Sequence, residues 1–242
     1  MESPKKKKSE IKSVVVLPSR SRPENLSRTL ESVLEKTASS DILVAIDEDQ
    51  QDLYTSRLEG VIYDIGPAPQ HIGVNAKLNR LANQLKDEYD YLLWAADDTL
   101  IKTNKWDTLL IKAISDIRYG ISHPEENTHD QRLLPSNGTC FDLRIVRTLG
   151  YLAPPTLKHL YIDNFWKRLG TDLGSIRFVP KVKIDHIHFT KDINLFDPLY
   201  AATNSRNRYE QDKQSFDIYL DHQLKHDLAK LRAHAFDDDK NS

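Results

Sequence analysis

Two adjacent carboxylates, Asp97 and Asp98, close an apolar run at residues 91–96. Such a run reads as a buried strand, so its end brings two negative charges together at a sheet edge. That is costly unless a cation or hydrogen-bond donors compensate. A divalent cation held by hard oxygen ligands and shared with a diphosphate is the natural partner. The competing reading makes one Asp a helix cap and the other a solvated acid, and the pair alone does not decide. Arg20 and Arg22, in Pro18-Ser19-Arg20-Ser21-Arg22, follow another apolar run. Guanidinium groups there suit phosphate oxygens, although a surface loop paired with Glu24 or Asp47 would need the same residues. His186 and His188 share one face of a strand predicted over residues 181–189, a workable geometry for a metal-ligand pair and also for two structural histidines.

Positioning these groups requires strands that stop where the polar residues begin. Strands are predicted over residues 13–17, where Pro18 ends the run, and over 42–46, 61–65 and 91–96. Helices are predicted between them: one entered by Pro23 with Leu26, Leu30, Val33 and Leu34 at helical spacing, and one over residues 75–85 with Leu78, Leu81, Ala82 and Leu85 on one face. Strand, helix, strand, helix with short connections implies an α/β fold with a mostly parallel sheet covered on both faces. Ligands of such sheets bind at the carboxyl ends of the strands, where the strand order switches direction. Three predicted strands end on polar clusters: residues 18–22, Asp47-Glu48-Asp49, and Asp97-Asp98.

Further along, helices are predicted over residues 106–117 and 161–169, with a polar, loop-rich stretch at 118–140. A single long helix over residues 204–231 places Tyr209, Phe216, Tyr219, Leu220, Leu224, Leu228 and Leu231 on one stripe. The expected organisation is a flexible basic tail at residues 1–11, a catalytic domain at 12–195, a helical extension at 196–235 and a disordered tail at 236–242. The 242 residues suffice for one α/β domain, and 39% hydrophobic with 29% charged residues suits a solvated globular surface. A net charge of −2 demands neither nucleic acid nor membrane as partner. The lone Cys140 excludes an intramolecular disulfide or a cysteine-rich zinc site and fits a reducing, cytoplasmic compartment. No apolar run is long enough for a transmembrane segment.

The segment Tyr91-Leu-Leu-Trp-Ala-Ala-Asp-Asp98 resembles the aspartate motif of family 2 type glycosyltransferases. Upstream, residues 14–23 resemble their opening strand and nucleotide-binding loop, Val44-Ala-Ile-Asp-Glu-Asp49 their second strand, and Gly73-Val-Asn-Ala-Lys-Leu-Asn79 the segment before the aspartate motif. The resemblance implies a GT-A (Rossmann-like) fold and a nucleotide-diphospho-sugar donor, a UDP-sugar by default, with Mn2+ or Mg2+ as cofactor. It further implies that Pro18, Ser19, Arg20, Arg22, Asp47, Asn75, Lys77, Asn79 and Asp97 line the donor pocket. Asp98 then ligates metal, with a late histidine, His188 before His186, completing the shell. Ala95 stands where many members carry a further acid.

Tyr161-Ile-Asp-Asn-Phe-Trp-Lys-Arg168 resembles the acceptor-side acidic motif of inverting members, which makes Asp163 the expected base, with Asp142 in reserve and Trp166 as acceptor-side support. A plain helix cap is the other role for Asp163, and a core position the other one for Trp166. The acceptor stays open between a saccharide and a modified DNA base. The latter would need Arg144, Arg147, Lys158, Lys167 and Arg168 to form a basic face, as in phage-type DNA glycosyltransferases. A nucleotidyltransferase, or a non-catalytic nucleotide-sugar binder, is the alternative class; the absence of glycine from the loop after the first strand counts against the former.

Overall fold

The computed structural model describes residues 11–71, 73–127, 134–135, 137–187 and 196–239. The expected basic tail up to residue 10, together with His188, lies outside them.

The sheet is seeded by β1 (Ser13–Ser19), whose seven residues are all buried. Both faces of β1 are covered because its side chains alternate between two cores. Val14 and Val16 join one cluster, and Val15 and Leu17 the other. Pro18 does not end this strand, contrary to the sequence reading. β4 (Tyr91–Trp94) pairs with β1 only as far as Val16, so Pro18 has a neighbour on one side alone and its missing N–H breaks no ladder. On that other side run β2 (Asp41–Asp47) and then β3 (Val61–Gly66), all four strands parallel.

The rest of the sheet comes from β5 (Thr99–Ile101), β6 (Ile121–Glu126), β7 (Cys140–Asp142) and β8 (Ile176–His186). The spatial order is β3-β2-β1-β4-β7-β6-β8-β5. Of the seven strand pairings four are parallel, and β7 joins β4 and β6 antiparallel, as β5 joins β8.

One face carries α1 (Pro23–Lys36) and α3 (Trp106–Lys112). The other carries α2 (Asn75–Leu85), α4 (Arg144–Leu149), α5 (Ile162–Asp172) and the last helices. The C-terminal extension consists of α6 (Pro198–Thr203), α7 (Arg206–His222) and α8 (Leu224–Asp239). The expected single helix is therefore two, parted at Gln223, and α8 runs past residue 235 to Asp239. The apolar stripe holds at Tyr219, Leu224, Leu228 and Leu231, which are buried. Tyr209 departs from it: it is half exposed and packs at a tilt against Tyr161, ring centroids 5.4 Å apart. No helix among the described residues is long and apolar enough to cross a membrane.

The stretch read as loop, 118–140, contains β6 and the start of β7. Pro124 sits beside a register shift in the β6–β8 pairing, a place where a strand tolerates proline. The chain passes from β1 outward through β2 and β3, then returns through α2 to β4 on the opposite side of β1. This reversal opens a crevice beyond the carboxyl ends of β1 and β4.

Candidate functional site

A cavity of about 270 Å³ fills that crevice, lined by residues of every polar cluster noted above. The loop leaving β1 is anchored by Tyr54, whose hydroxyl lies 2.9 Å from Ser19 Oγ and accepts the Arg22 N–H at 3.1 Å. Ser21 takes a left-handed φ of 57°, which turns the chain into α1. Ser19 Oγ then donates to Asp97 Oδ2 at 2.6 Å. Arg20 grips Asp49 through two nitrogens at 2.8 and 2.7 Å and reaches Asp47 at 2.9 Å. Lys77, from α2, reaches the other oxygen of Asp47 at 2.9 Å and the Ser19 carbonyl at 3.1 Å. Burial pulls the Lys77 ammonium below its usual range, with Asp47 opposing.

Asp97 and Asp98 are both buried, at 5% and 3% exposure. Burial, then the charge of Asp98, pushes Asp97 up to about 6. Burial works the same way on Asp98, but His186 and Tyr200 outweigh it and hold this carboxyl below the ordinary range. Tyr200 donates its hydroxyl to Asp98 Oδ2. Arg22 Nη1 stands 3.5 Å from an oxygen of each acid. Its Nε and Nη2 grip Asp197 at 2.7 and 2.9 Å, and its guanidinium lies 4.0 Å over the Tyr200 ring.

Asp98 Oδ1 is buried and accepts no hydrogen bond, although His186 Nε2 faces it at 3.2 Å. The other ring nitrogen of His186, Nδ1, lies 2.9 Å from Glu126 Oε1. Burial alone would lower His186; the two flanking acids raise it instead, to about 10. With each ring nitrogen against a carboxylate, His186 is ion-paired to Asp98 and Glu126, and loss of its proton would free a nitrogen beside Asp98 for a metal. Among the described residues no group of three His, Cys, Asp or Glu side chains is arranged to hold a metal. An octahedral Mg2+-type ion asks for only one or two protein carboxylates and takes its remaining ligands from water and substrate phosphates, so the residues present fit such an ion.

The far wall is built by residues 159–163 and Trp166. Asp163 occupies the first turn of α5, lines the cavity, and accepts the Asn164 N–H at 2.8 Å. Tyr161 precedes it at a φ of 64°. Trp166 is 1% exposed, donates to the Leu152 carbonyl at 2.9 Å and packs on Trp94 and Phe141, so it belongs to the core and floors the cavity. The loop before α5 is held from α7, where Asp212 accepts the N–H groups of Lys158, His159 and Leu160 at 3.0, 3.0 and 2.8 Å.

Pro18, Ser19, Arg20, Arg22, Asp47, Lys77, Asp97, Asp98, Asp163 and His186 therefore meet at one cavity. Asn75 and Asn79 do not. Asn75 is 1% exposed and donates to the carbonyls of Pro154 and Leu157, while Asn79 brackets the backbone at Leu152 and Ala153. Their amides satisfy a buried loop and are not available to a ligand. Asp142 is also removed from the site: it is 2% exposed, locked to Arg144 and to the Tyr119 N–H. Three residues of the expected basic face have partners within the protein. Arg144 is spent on Asp142, Arg147 on the carbonyls of Lys86 and Tyr89, and Arg168 on Asp172.

Sequence reasoning missed Tyr54, Glu126, Asp197, Tyr200 and Asp212.

No family model matches the chain, and no curated protein matches it in sequence. Solved structures do match in fold. A mannosyltransferase, PcManGT from Pyrobaculum calidifontis in complex with GDP-Man and Mn2+, superposes with a TM-score of 0.59 at 12% identity, covering 93% of this chain and 74% of that one. S. aureus TarS residues 1–349 in complex with UDP gives 0.55 at 13% identity, over 72% and 60% of the two chains. Glucosyl-3-phosphoglycerate synthase from Mycobacterium tuberculosis, with Mn2+, UDP and phosphoglyceric acid, gives 0.52 at 12%, over 73% and 70%. The fold is GT-A.

Proposed function

We propose that this chain is a glycosyltransferase that moves a sugar from a nucleoside diphosphate donor, by default a UDP-sugar, onto an acceptor hydroxyl with inversion. One observation carries the reading: buried Asp98, ion-paired to a carboxylate-backed His186, stands beside Arg22 at the carboxyl end of β4. The fold shared with proteins solved with GDP-Man or UDP supports it.

Arg20, Asp47 and Lys77 form the nucleoside end of the pocket. Asp97, held by Ser19, faces the ribose or the sugar. Arg22 binds the diphosphate, and its fixed positive charge stabilises the leaving group as the glycosidic bond breaks. Asp163 accepts the proton of the acceptor hydroxyl from the opposite wall. Asp98 and His186 would hold a Mn2+ or Mg2+ ion, which when bound neutralises diphosphate charge. His188 lies outside the described residues.

Asp98→Ala tests the reading directly. Titrating UDP into the protein with and without Mn2+ should give metal-dependent binding in the wild type and at least about tenfold weaker binding in the variant, roughly the cost of a charge-assisted contact. Undiminished metal-coupled binding in Asp98→Ala removes the basis of the proposal.

A further inference from the structure

The segment that enters β7 carries a buried amide that the protein leaves unused. Asn137 lines the cavity and is 5% exposed. Among the described residues its side chain makes no hydrogen bond, and neither of its polar atoms is sealed in the interior. A buried amide is paired as a rule, so this one is left open to a ligand of the cavity.

An irregularity of the backbone holds Asn137 in that place. β4 and β7 pair Leu92 with Phe141 and Leu93 with Cys140. A regular ladder would set one residue opposite Trp94, but two stand there. The Gly138 N–H donates to the Trp94 carbonyl at 2.9 Å, and the Trp94 N–H donates to the Thr139 carbonyl at 3.0 Å. Gly138 takes a φ of 74°, so this is a β-bulge built on a left-handed glycine. One extra residue reverses the alternation of side chains, and the bulge therefore sets the face on which Asn137 emerges. The bulge also fixes its neighbourhood. Trp94 stands three residues before Asp97, and its ring lies 6.0 Å from that of Trp166, one turn after Asp163 on α5. Trp94, Trp166, Asp97 and Asp163 all line the cavity, so Asn137 belongs to the stretch of floor that joins the acidic pair to Asp163.

We propose that Asn137 binds the transferred sugar through two neighbouring hydroxyls of its ring. The assignment rests on the transferase reading above, which puts that sugar between the strand-end acids and Asp163. An amide offers a carbonyl acceptor and two N–H donors, the complement of a hydroxyl pair in which one donates and one accepts. It carries no charge, so it adds no repulsion beside Asp97 and Asp98. A buried group built for hydroxyls rejects a ring that lacks them, because it would be left unpaired. Asn137 thus selects the donor by its sugar, whereas Arg20, Asp47 and Lys77 take the nucleoside.

The test compares the wild type with Asn137→Ala by calorimetric titration, in the presence of Mn2+, of UDP, UDP-glucose, UDP-galactose and UDP-N-acetylglucosamine. The expected result is UDP affinity within about twofold of wild type, with about tenfold weaker binding of the UDP-sugar that the wild type prefers, the loss of two neutral hydrogen bonds. The melting temperature should fall by no more than about 3 °C, because the amide has no partner among the described residues to lose. A larger fall, or a variant that does not fold, makes the amide structural and overturns the proposal. An equal change in UDP and UDP-sugar affinity, whether a loss or none, overturns it as well. So does a wild type that binds UDP but none of the three UDP-sugars. Each of these results leaves the nucleotide site standing, whereas a wild type that binds no UDP removes the transferase reading and the proposal with it.

Discussion

Removing the Asp212 carboxylate should loosen, from a distance, the cavity wall that begins at His159. Asp212 is 1% exposed on α7 and accepts N–H groups from three consecutive residues, Lys158, His159 and Leu160. Hydrogen bonds to a charged acceptor contribute about 1.5–3 kcal/mol each. The three share one carboxylate, and the loop is half exposed, so water replaces part of the loss in Asp212→Ala. The expected net cost is about 3 kcal/mol, well short of the sum. For a chain of this size about 1 kcal/mol corresponds to roughly 2–4 °C, so the melting temperature should fall by about 6–12 °C. Asp212→Asn keeps one carbonyl oxygen and should cost about half as much. Urea unfolding followed by circular dichroism, with the m-value checked for constancy, reads the difference. A loss below about 1 kcal/mol in Asp212→Ala would mean that α7 does not hold the loop and that the C-terminal helices are only an appendage to the site.

Two other outcomes test the framework of the fold. Burial works to raise Asp107, but the N–H groups of Ser39 and Ala38 outweigh it and depress this carboxyl. Its contribution should therefore be fully present above the unfolded value of about 4 and be lost as pH falls through the lower native value, so the roughly 2 kcal/mol by which Asp107→Asn destabilises at pH 7 should shrink below pH 4. Urea unfolding at pH 7, 5 and 3 measures this, and a constant difference refutes it. A Cβ at Gly73 would lie 2.3 Å from the Lys158 carbonyl oxygen, a backbone atom that cannot swing away. Gly73→Ala should thus cost about 1–3 kcal/mol and separate α2 from the 158 loop, which thermal unfolding detects.

The elements that came through from sequence are those whose burial is written in apolar residues. The limits of α2 agree at both ends because Leu78, Leu81, Ala82 and Leu85 mark one face without interruption. β6 was invisible for the opposite reason. Its buried residues include Ser122, His123 and Glu126, each under 5% exposed. Ser122 satisfies its hydroxyl on the Leu110 carbonyl, and Glu126 is paired with His186, so neither needs to be apolar to be inside. Periodicity that counts only hydrophobic residues cannot register a strand whose interior is polar and satisfied. Resemblance fails differently. It carried Asn75 and Asn79 into the donor pocket by position, whereas their direction depends on which buried carbonyls the 152–158 loop leaves unpaired. Tyr200 reaches Asp98, and Asp197 reaches Arg22, from far downstream through packing alone, and nothing local announces them.

The acidic pair explains why such remote pieces are needed. A parallel strand buried on both faces cannot end on two carboxylates unless positive charge or donors reach them inside the protein. No cation is adjacent in sequence, so the compensation comes from the β1 loop (Ser19 and Arg22), the end of β8 (His186) and α6 (Tyr200). Three of these four groups are held by a further acid or hydroxyl: Arg22 by Asp197, His186 by Glu126, Ser19 by Tyr54. Exposure within this array is uneven. Asp197 has 34% of its side chain exposed against 9% for Arg22. A diphosphate could therefore replace Asp197 on Arg22 at small cost, because the displaced carboxylate returns to water, whereas Asp97 and Asp98, buried, have no such exit. Under the proposed function, ligand entry at this site is an exchange of anions on one fixed guanidinium. The two strand-end acids stay where the fold put them.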